Sequence, residues 1–302
     1  MLYDFRFALR GLRRTPGLIV AAILTLALGT GANTLIFSVM DSALLRPLPY
    51  RDPAGLAVLW EANPKIEGFL AQRVPVAGRN FFEWRSRLHA FEQIEALRRS
   101  SESLTGMGRP ENLIVARVTP GFFRLLGRGA WLGRTFQAED ATGNCAVAVV
   151  SAVFVARNFP HGVSASNAGV GHKLIINGAP YKIVGVMPAD FHLPALWQGH
   201  EEILPDVWLP VPPDLAPPIA GESRRNYVFG RLRHGVSIDQ ARNELSTLAR
   251  QLEKEYPRLD SGFGSSVFPV AVEDVGPTTR RTILSLQSAV IFVLLIACAN
   301  VA

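Results

Sequence analysis

"TPGLIVAAILTLALGTGANTLIFSVMDSALLRPLPY", residues 15 to 50, opens on an uncharged run that lasts to Met40 and closes on a proline-broken polar stretch. A phosphate-cradling glycine loop needs a strand before it and a helix N-terminus after it. Here Gly29 and Gly31 have apolar sequence on both sides instead. A secretory signal has an apolar core of about 7–15 residues and a small-x-small cleavage site. This run is longer, and "MDSALLRPLPY" follows it. The stretch therefore reads as a membrane helix. Nothing breaks it from Pro16 to Leu45, and Pro47 and Pro49 end it. Those residues make roughly 45 Å of helix, of which the bilayer core takes about 30 Å. Asp41 to Leu45, with Ser42 among them, are expected to stand outside as a stalk. Arg46 to Tyr50, with Pro47 and Pro49, form the joint to whatever follows.

Within the helix, Thr25, Gly29 and Asn33 fall four apart, and so do Ala27 and Gly31. Small residues at that spacing admit a second helix, and Asn33 can hydrogen-bond across the contact. Gly29, Gly31 and Asn33 are the expected packing seam. A second uncharged run, Thr282 to Ala302, supplies a candidate partner span. Arg6, Arg10, Arg13 and Arg14 crowd the N-terminal side of the first run, which places that side in the cytoplasm and the central segment outside. Leu2, Phe5, Leu9 and Leu12 recur at helical spacing opposite the arginines, as in a helix lying on the inner membrane surface. The domain reading is a cytoplasmic surface helix at 1–15, a transmembrane helix and stalk at 16–46, an outer domain at 47–281, and the start of a second transmembrane helix at 282–302 that stops short of its end.

Charged residues make up only 19% of the 302, the deficit being concentrated in the two runs. With the first four arginines, Asp4 and Asp41 set aside, the rest holds 27 basic and 23 acidic residues. No basic block interleaved with aromatics appears, which argues against nucleic acid as a partner. Cys145 lies between the two runs and Cys298 within the second, so no disulfide and no CxxC-type metal site is expected.

The outer segment reads as an α+β ectodomain of two small α/β parts, built of strand–helix–strand units, between two transmembrane helices. Phe82, Trp84, Leu88, Phe91 and Ile94 recur at helix-like spacings. Leu113 to Val118 and Ala146 to Val150 read as strands, and Thr119-Pro120 as the start of a short helix. Asn177-Gly178 between two apolar runs is a hairpin signal. Ile238, Ala241, Leu245, Leu248 and Leu252 form a helical stripe, with Ser237 and Gln240 as a capping box and Pro257 as the stop. Strand-like "YVFGRL" and "SSVFPVAV" flank that helix. Eight prolines between Pro188 and Gly221 mark a long irregular excursion near the join of the two parts.

No catalytic pattern emerges. The six histidines make no HxH or HExxH motif, and His200-Glu201-Glu202 is the densest group of possible ligands. Glu139-Asp140 and Glu273-Asp274 are adjacent pairs, whose side chains do not face one another. GxSxG and GxxxxGK[ST] are absent from these residues. No cofactor and no metal site is expected.

"FRFALRGLRRTPGLIVAAILTLALGTGANTLIFSVMDSALLRPLPY", "LGRGAWLGRTFQAED", "NGAPYKIVGVMPADFHLP", "VWLP", "GRLRHGVSIDQARNEL" and "LLIACANVA" occur in that order. Together they resemble MacB-like and FtsX-like permeases of the ATP-binding-cassette (ABC) type, most of all the acidobacterial duplicated orphan permeases. The resemblance covers nearly the whole chain, apart from a Ser/Asn/Gly insert at Ser164 to Gly171. It implies a non-enzymatic, multi-pass subunit of the inner membrane with a periplasmic core domain and further spans beyond the second run. Its implied partners are the bilayer, a cytoplasmic ABC ATPase, and a periplasmic adaptor or a second permease copy. It further implies that ATP binding and hydrolysis on the partner shift the membrane helices and that the stalk passes the shift outward. Phe5, Leu9, Arg10, Arg13 and Arg14 would then form the inner coupling surface. A sensor, with a ligand-binding ectodomain between two spans, is the alternative from another class, and a tethered periplasmic enzyme a third.

Overall fold

The computed structural model describes residues 16–41, 44, 48–142, 146–159, 169–193, 204–211, 224–275 and 277–301. The chain divides into two compact units, residues 1–47 with 275–302, and residues 48–274. The second unit ends earlier than the sequence reading, because the second long helix starts at Pro277 and takes Arg280 and Arg281 into its first turns.

The first unit consists of α1 (Pro16–Met40) and a late helix, numbered α8 below (Pro277–Val301). Both contain windows apolar enough to cross a membrane, Ile23–Met40 with mean hydropathy 1.6 and Thr279–Ala299 with 2.3. Only 6% and 11% of those windows is buried. A core helix of a water-soluble domain would bury its apolar side chains. Val20, Leu24, Leu28, Leu35, Phe292 and Ile296 are instead exposed, as lipid-facing residues are. The hydroxyls of Thr30, Thr34, Ser285 and Ser288 donate to carbonyls four residues earlier at 2.7–2.9 Å, so they need no water.

The second unit follows in the order β1 (Leu56–Ala62), α2 (Gly78–Arg87), β2 (Phe91–Thr105), β3 (Glu111–Val118), α3 (Phe122–Leu126), β4 (Leu132–Gly133), β5 (Val147–Val150), α4 (Ala152–Asn158), β6 (Lys173–Ile176), β7 (Ala179–Val186), β8 (Val207–Pro210), β9 (Tyr227–Leu232), α5 (Ile238–Glu255), α6 (Pro257–Asp260), β10 (Gly264–Pro269) and α7 (Val270–Val275), before α8.

Its strands form two α/β parts that share β2. In the first, the spatial order is β10-β1-β9-β2 and every neighbour is antiparallel. It follows that β1 runs parallel to β2 across β9, and β9 parallel to β10 across β1. The connections β1–α2–β2 and β9–α5–β10 are thus two split β-α-β units. Their helices bury Phe81, Trp84, Ala241, Leu245 and Leu252 against Leu59, Ile94, Val228 and Val267. In the second part the hydrogen-bonded path closes on itself: β2 pairs β3, then β8, β5, β7 and β6, and β6 pairs β2 again at Leu104↔Ile176. This closed ring of strands encloses Leu113, Val115, Ala148, Val150, Ile183 and Val207, with Phe154 of α4. Among the described residues each of these six strands has a partner on both sides, and only the two-residue β4, paired to β7 alone, ends on an open edge. A third core joins the two and includes Trp60, Leu97, Phe122, Phe123, Phe229 and Trp208.

The sequence readings fare unevenly. Asn177 (φ 49°) and Gly178 (φ 80°) make the hairpin turn between β6 and β7. Ser237 accepts from the Gln240 amide and Gln240 answers to the Ser237 amide, the capping box of α5. The helix-like spacing from Phe82 to Ile94 is half wrong. The helix stops at Arg87, and Phe91 and Ile94 lie in β2. A bulge between Phe91 and Gln93 adds one residue there, so two positions three apart bury into the same core. Thr119 does not cap α3. Gly121 stands at that position, and the Thr119 hydroxyl accepts from the Ala96 amide of β2 at 2.9 Å. In "SSVFPVAV" the strand ends at Pro269 and the helix α7 begins. The proline-rich excursion contains β8, buried along its whole length and paired on both sides.

Candidate functional site

Within the first unit the helices run antiparallel, since Gly29 meets Leu294 and Ala297 while Asn33 meets Gln287. Gly29 is buried, and a Cβ placed on it would stand 3.2 Å from Leu294 Cδ1. Asn33 Oδ1 accepts from Gln287 Nε2 at 2.9 Å. Gly31 is exposed, with nothing within 4 Å of the position its Cβ would take. The reason is angular. Two residues advance a helix by about 200°, so the row through Gly31 points away from the row through Gly29 and Asn33. Asp41 is half-buried and lies in helical backbone just past Met40. Ser42, Leu45, Arg46 and Pro47, and the surface-helix residues Phe5, Leu9, Arg10, Arg13 and Arg14, lie outside the described residues.

The chain enters the ectodomain through Leu48, Pro49 and Tyr50. Pro49 is exposed, whereas Leu48 packs on the joining core and Tyr50 is buried in it. The Tyr50 hydroxyl donates to the His192 carbonyl at 3.1 Å, and the Arg51 amide donates to the Leu126 carbonyl at 3.0 Å. Gly127 must be glycine: its φ is 68°, and a Cβ there would lie 2.1 Å from Arg51 Cβ. Beneath this segment lies Arg231 of β9. Its guanidinium donates to the carbonyls of Asp52 (3.1 Å), Arg51 (2.7 Å) and Leu125 (2.6 Å). The nearest carboxylates, Asp52 and Glu92, are 3.8 Å away. Burial pulls the Arg231 pKa below the usual guanidinium value, with those two carboxylates opposing.

The chain leaves the ectodomain through α7, and Glu273 in it is fully buried. Arg73 meets it side-on, with Nε 2.9 and 3.1 Å from its two oxygens and Nη2 2.8 Å from Oε1. The Arg73 guanidinium also lies 3.9 Å from the ring centroid of Phe268 in β10. Burial raises the Glu273 pKa, and Arg73 pulls it back.

A third arginine, Arg224, precedes β9. It pairs with Glu61 of β1, donates to the Leu259 carbonyl at 2.7 Å and to Asp260 at 3.2 Å, and covers the Phe263 ring at 3.6 Å. Asn80 of α2 links the same two carboxylates, donating to Glu61 at 3.0 Å and Asp260 at 2.8 Å. Burial raises the pKa of both acids, against the pull of Arg224 on Glu61 and of Asn80 on Asp260. Each carboxylate in these groups is held by a guanidinium or an amide, which suits fixing chain segments rather than moving protons. Asp140 of the adjacent acidic pair likewise binds Arg134, which lowers its pKa. Among the described residues no three of His, Cys, Asp and Glu stand together as metal ligands. His200-Glu201-Glu202 lies outside them. Nothing in the sequence marked Arg73, Arg224 or Arg231. The only trace is an arginine following Gly230 in an otherwise apolar strand.

The family model for the MacB-like periplasmic core domain matches residues 19–248, which takes in most of α1 and the ectodomain through most of α5. The chain belongs to this family. The periplasmic region of MacB from Actinobacillus actinomycetemcomitans is similar at a TM-score of 0.51 and 13% identity, over 77% of this chain and 94% of that one. A domain of a protein assigned as a permease from Porphyromonas gingivalis is similar at 0.53 and 15%, over 78% and 99%. At such identities these two neighbours speak for the fold alone. No protein of curated function matches. As a member of the MacB-like family, the chain is a transporter-type permease component: a membrane protein whose mixed α/β ectodomain is periplasmic. The general kind of partner that fits such a component is a cytoplasmic ABC ATPase.

Proposed function

We propose that this MacB-like chain is a permease subunit of an ABC-type transporter in the inner membrane, driven by a separate cytoplasmic ATPase. The observation that carries the reading is the reach of the family match, which joins the first membrane helix and the ectodomain in one family unit. The 302 residues contain no Walker-type nucleotide loop, so ATP hydrolysis is assigned outside them, on this reading to a partner chain. On this reading the N-terminal arginines dock against the ATPase. Nucleotide-driven movement shifts the paired helices, and the stalk from Asp41 to Leu45 passes the shift to the ectodomain. There it drives export or extraction of a lipophilic or peptide-like cargo, with a periplasmic adaptor or a second permease copy completing the assembly. No ligand chemistry is needed on the chain itself on this reading, in keeping with Glu61, Asp260 and Glu273 each being held by a guanidinium or an amide.

The test is purification of the tagged full-length protein from its native membranes in mild detergent, with identification of what accompanies it. An ABC ATPase in near-stoichiometric amount, lost when Arg10, Arg13 and Arg14 are replaced together by Ser, is the expected result. A histidine kinase or other signalling domain in its place would move the assignment to a membrane sensor.

A further inference from the structure

The covalent routes into and out of the ectodomain each end on a buried arginine. At the entry, Arg231 binds the carbonyls of Arg51 and Asp52, the first backbone groups after the Leu48–Tyr50 segment, and ties them to Leu125 of α3. At the exit, Arg73 holds Glu273 two-handed and lies on Phe268, so the helix that leads out is fixed to the strand before it. Both residues serve the same part of the fold. Arg231 belongs to β9, and Glu61 of β1 exchanges backbone bonds with Val74, the neighbour of Arg73. β1 and β9 are the two central strands of the β10-β1-β9-β2 sheet.

A charge costs several kcal/mol to bury unless its hydrogen bonds are met. Arginine can engage several acceptors at once through a rigid planar fork, which a lysine cannot. A residue needed only for packing would be apolar at both places. Three carbonyls from two segments around one guanidinium form a joint that resists both sliding and peeling.

We propose that Arg231 and the Arg73–Glu273 pair are positioning residues for force transmission, clamping the entry and exit segments to the two central strands so that displacement of the membrane helices moves this sheet as a body. The inference rests on the permease reading given above. It adds which residues receive the movement and which part of the ectodomain moves first.

The experiment uses the full-length protein in nanodiscs with its ATPase, and reads hydrogen exchange of the ectodomain with and without ATP and vanadate. In the resting wild type the Arg51 amide and the Gly55 amide, which donates to the clamped Asp52 carbonyl at 3.2 Å, should be protected to within about tenfold of those in β9. Exchange at the rate of a free loop would overturn the clamp with no variant required. Arg231→Lys, Arg231→Met and Glu273→Gln are then compared with wild type. Where the ectodomain still melts cooperatively, the ATP-dependent change in β1 and β9 should fall at least tenfold, while ATP hydrolysis continues. Exchanging the pair as Arg73→Glu with Glu273→Arg should restore part of the change, which loss of packing alone would not allow. Folded single variants that keep the full ATP-dependent change would overturn the proposal. Absence of any ATP-dependent change in wild type would instead sink the permease reading, and the resting protection would still decide whether the clamps exist.

Discussion

At the scale of residues, the membrane pair offers a direct contrast between two glycines two positions apart. Gly29 abuts Leu294 and Ala297, whereas Gly31 meets nothing. Gly29→Leu should push the helices apart at a cost of about 1–3 kcal/mol, the usual range for overpacking. Gly31→Leu should not. A thiol cross-link between cysteines placed at 33 and 287 checks this: its yield should fall several-fold with Gly29→Leu and hold with Gly31→Leu. The sequence alone marked both glycines, because spacing shows that a residue shares a row but not which row faces the partner. The buried acids supply a second prediction at this scale. Glu61 and Asp260 have pKa values raised by burial, so the folded state holds their protons more tightly than the unfolded chain does. Their contribution is complete below the ordinary carboxylate range and is lost as pH rises through the folded pKa. Glu61→Gln should therefore remove part of the fall in stability between about pH 4 and the neutral range, as read from melting temperatures at fixed salt. A pH profile parallel to wild type would show that Glu61 ionises without cost.

At the scale of elements, the legible pieces were those whose signals are local. The Asn177-Gly178 turn depends on two positive φ angles that these residues accept, and α5 on its stripe and capping box. The pieces that hid are shaped by distant partners. β8 is only four residues, buried throughout and followed by prolines, so it shows no alternation and looks like loop. It becomes a strand because β3 and β5 offer it both edges and Asp206 binds the Ile114 amide at 3.0 Å. The start of β2 imitated a helix because its bulge replaced a spacing of two by three. The closed ring, and the sharing of β2 by two parts, follow from long-range pairings that no window of sequence contains. For the candidate site the same division applies: the helix rows were visible, whereas the Arg231 clamp depends on backbone carbonyls, which every residue has, and the Arg73 clamp on a carboxylate far along the chain at Glu273. The proposed stalk, Asp41 to Leu45, is tested through helical continuity rather than side chains. In a helix, proline removes a backbone hydrogen bond and clashes with the preceding turn, at about 3 kcal/mol or more, so Ser42→Pro would break the proposed stalk. Ser42→Ala favours helix. With the ATPase present, the Pro variant should insert and fold but lose transport-linked activity, and the Ala variant should keep it. Equal activity in the two would count against a rigid stalk.

At the scale of the whole molecule, two long apolar helices flank in sequence one periplasmic ectodomain whose two α/β parts are hydrogen-bonded through a single long strand. On the proposed function, what moves β1, β9 and the first half of β2 would bear on the ring built from its second half. This arrangement suits a component that relays motion, and it gives the central claim an observable. Spin labels on exposed positions, one at Gln251 on α5 and one at Lys173 on β6, would report the distance between the two parts in full-length protein reconstituted with its ATPase. The expected distance distribution shifts by several ångströms between the nucleotide-free and ATP-vanadate states, and the shift disappears with Ser42→Pro. Identical distributions in both nucleotide states, in a preparation that hydrolyses ATP, would contradict it.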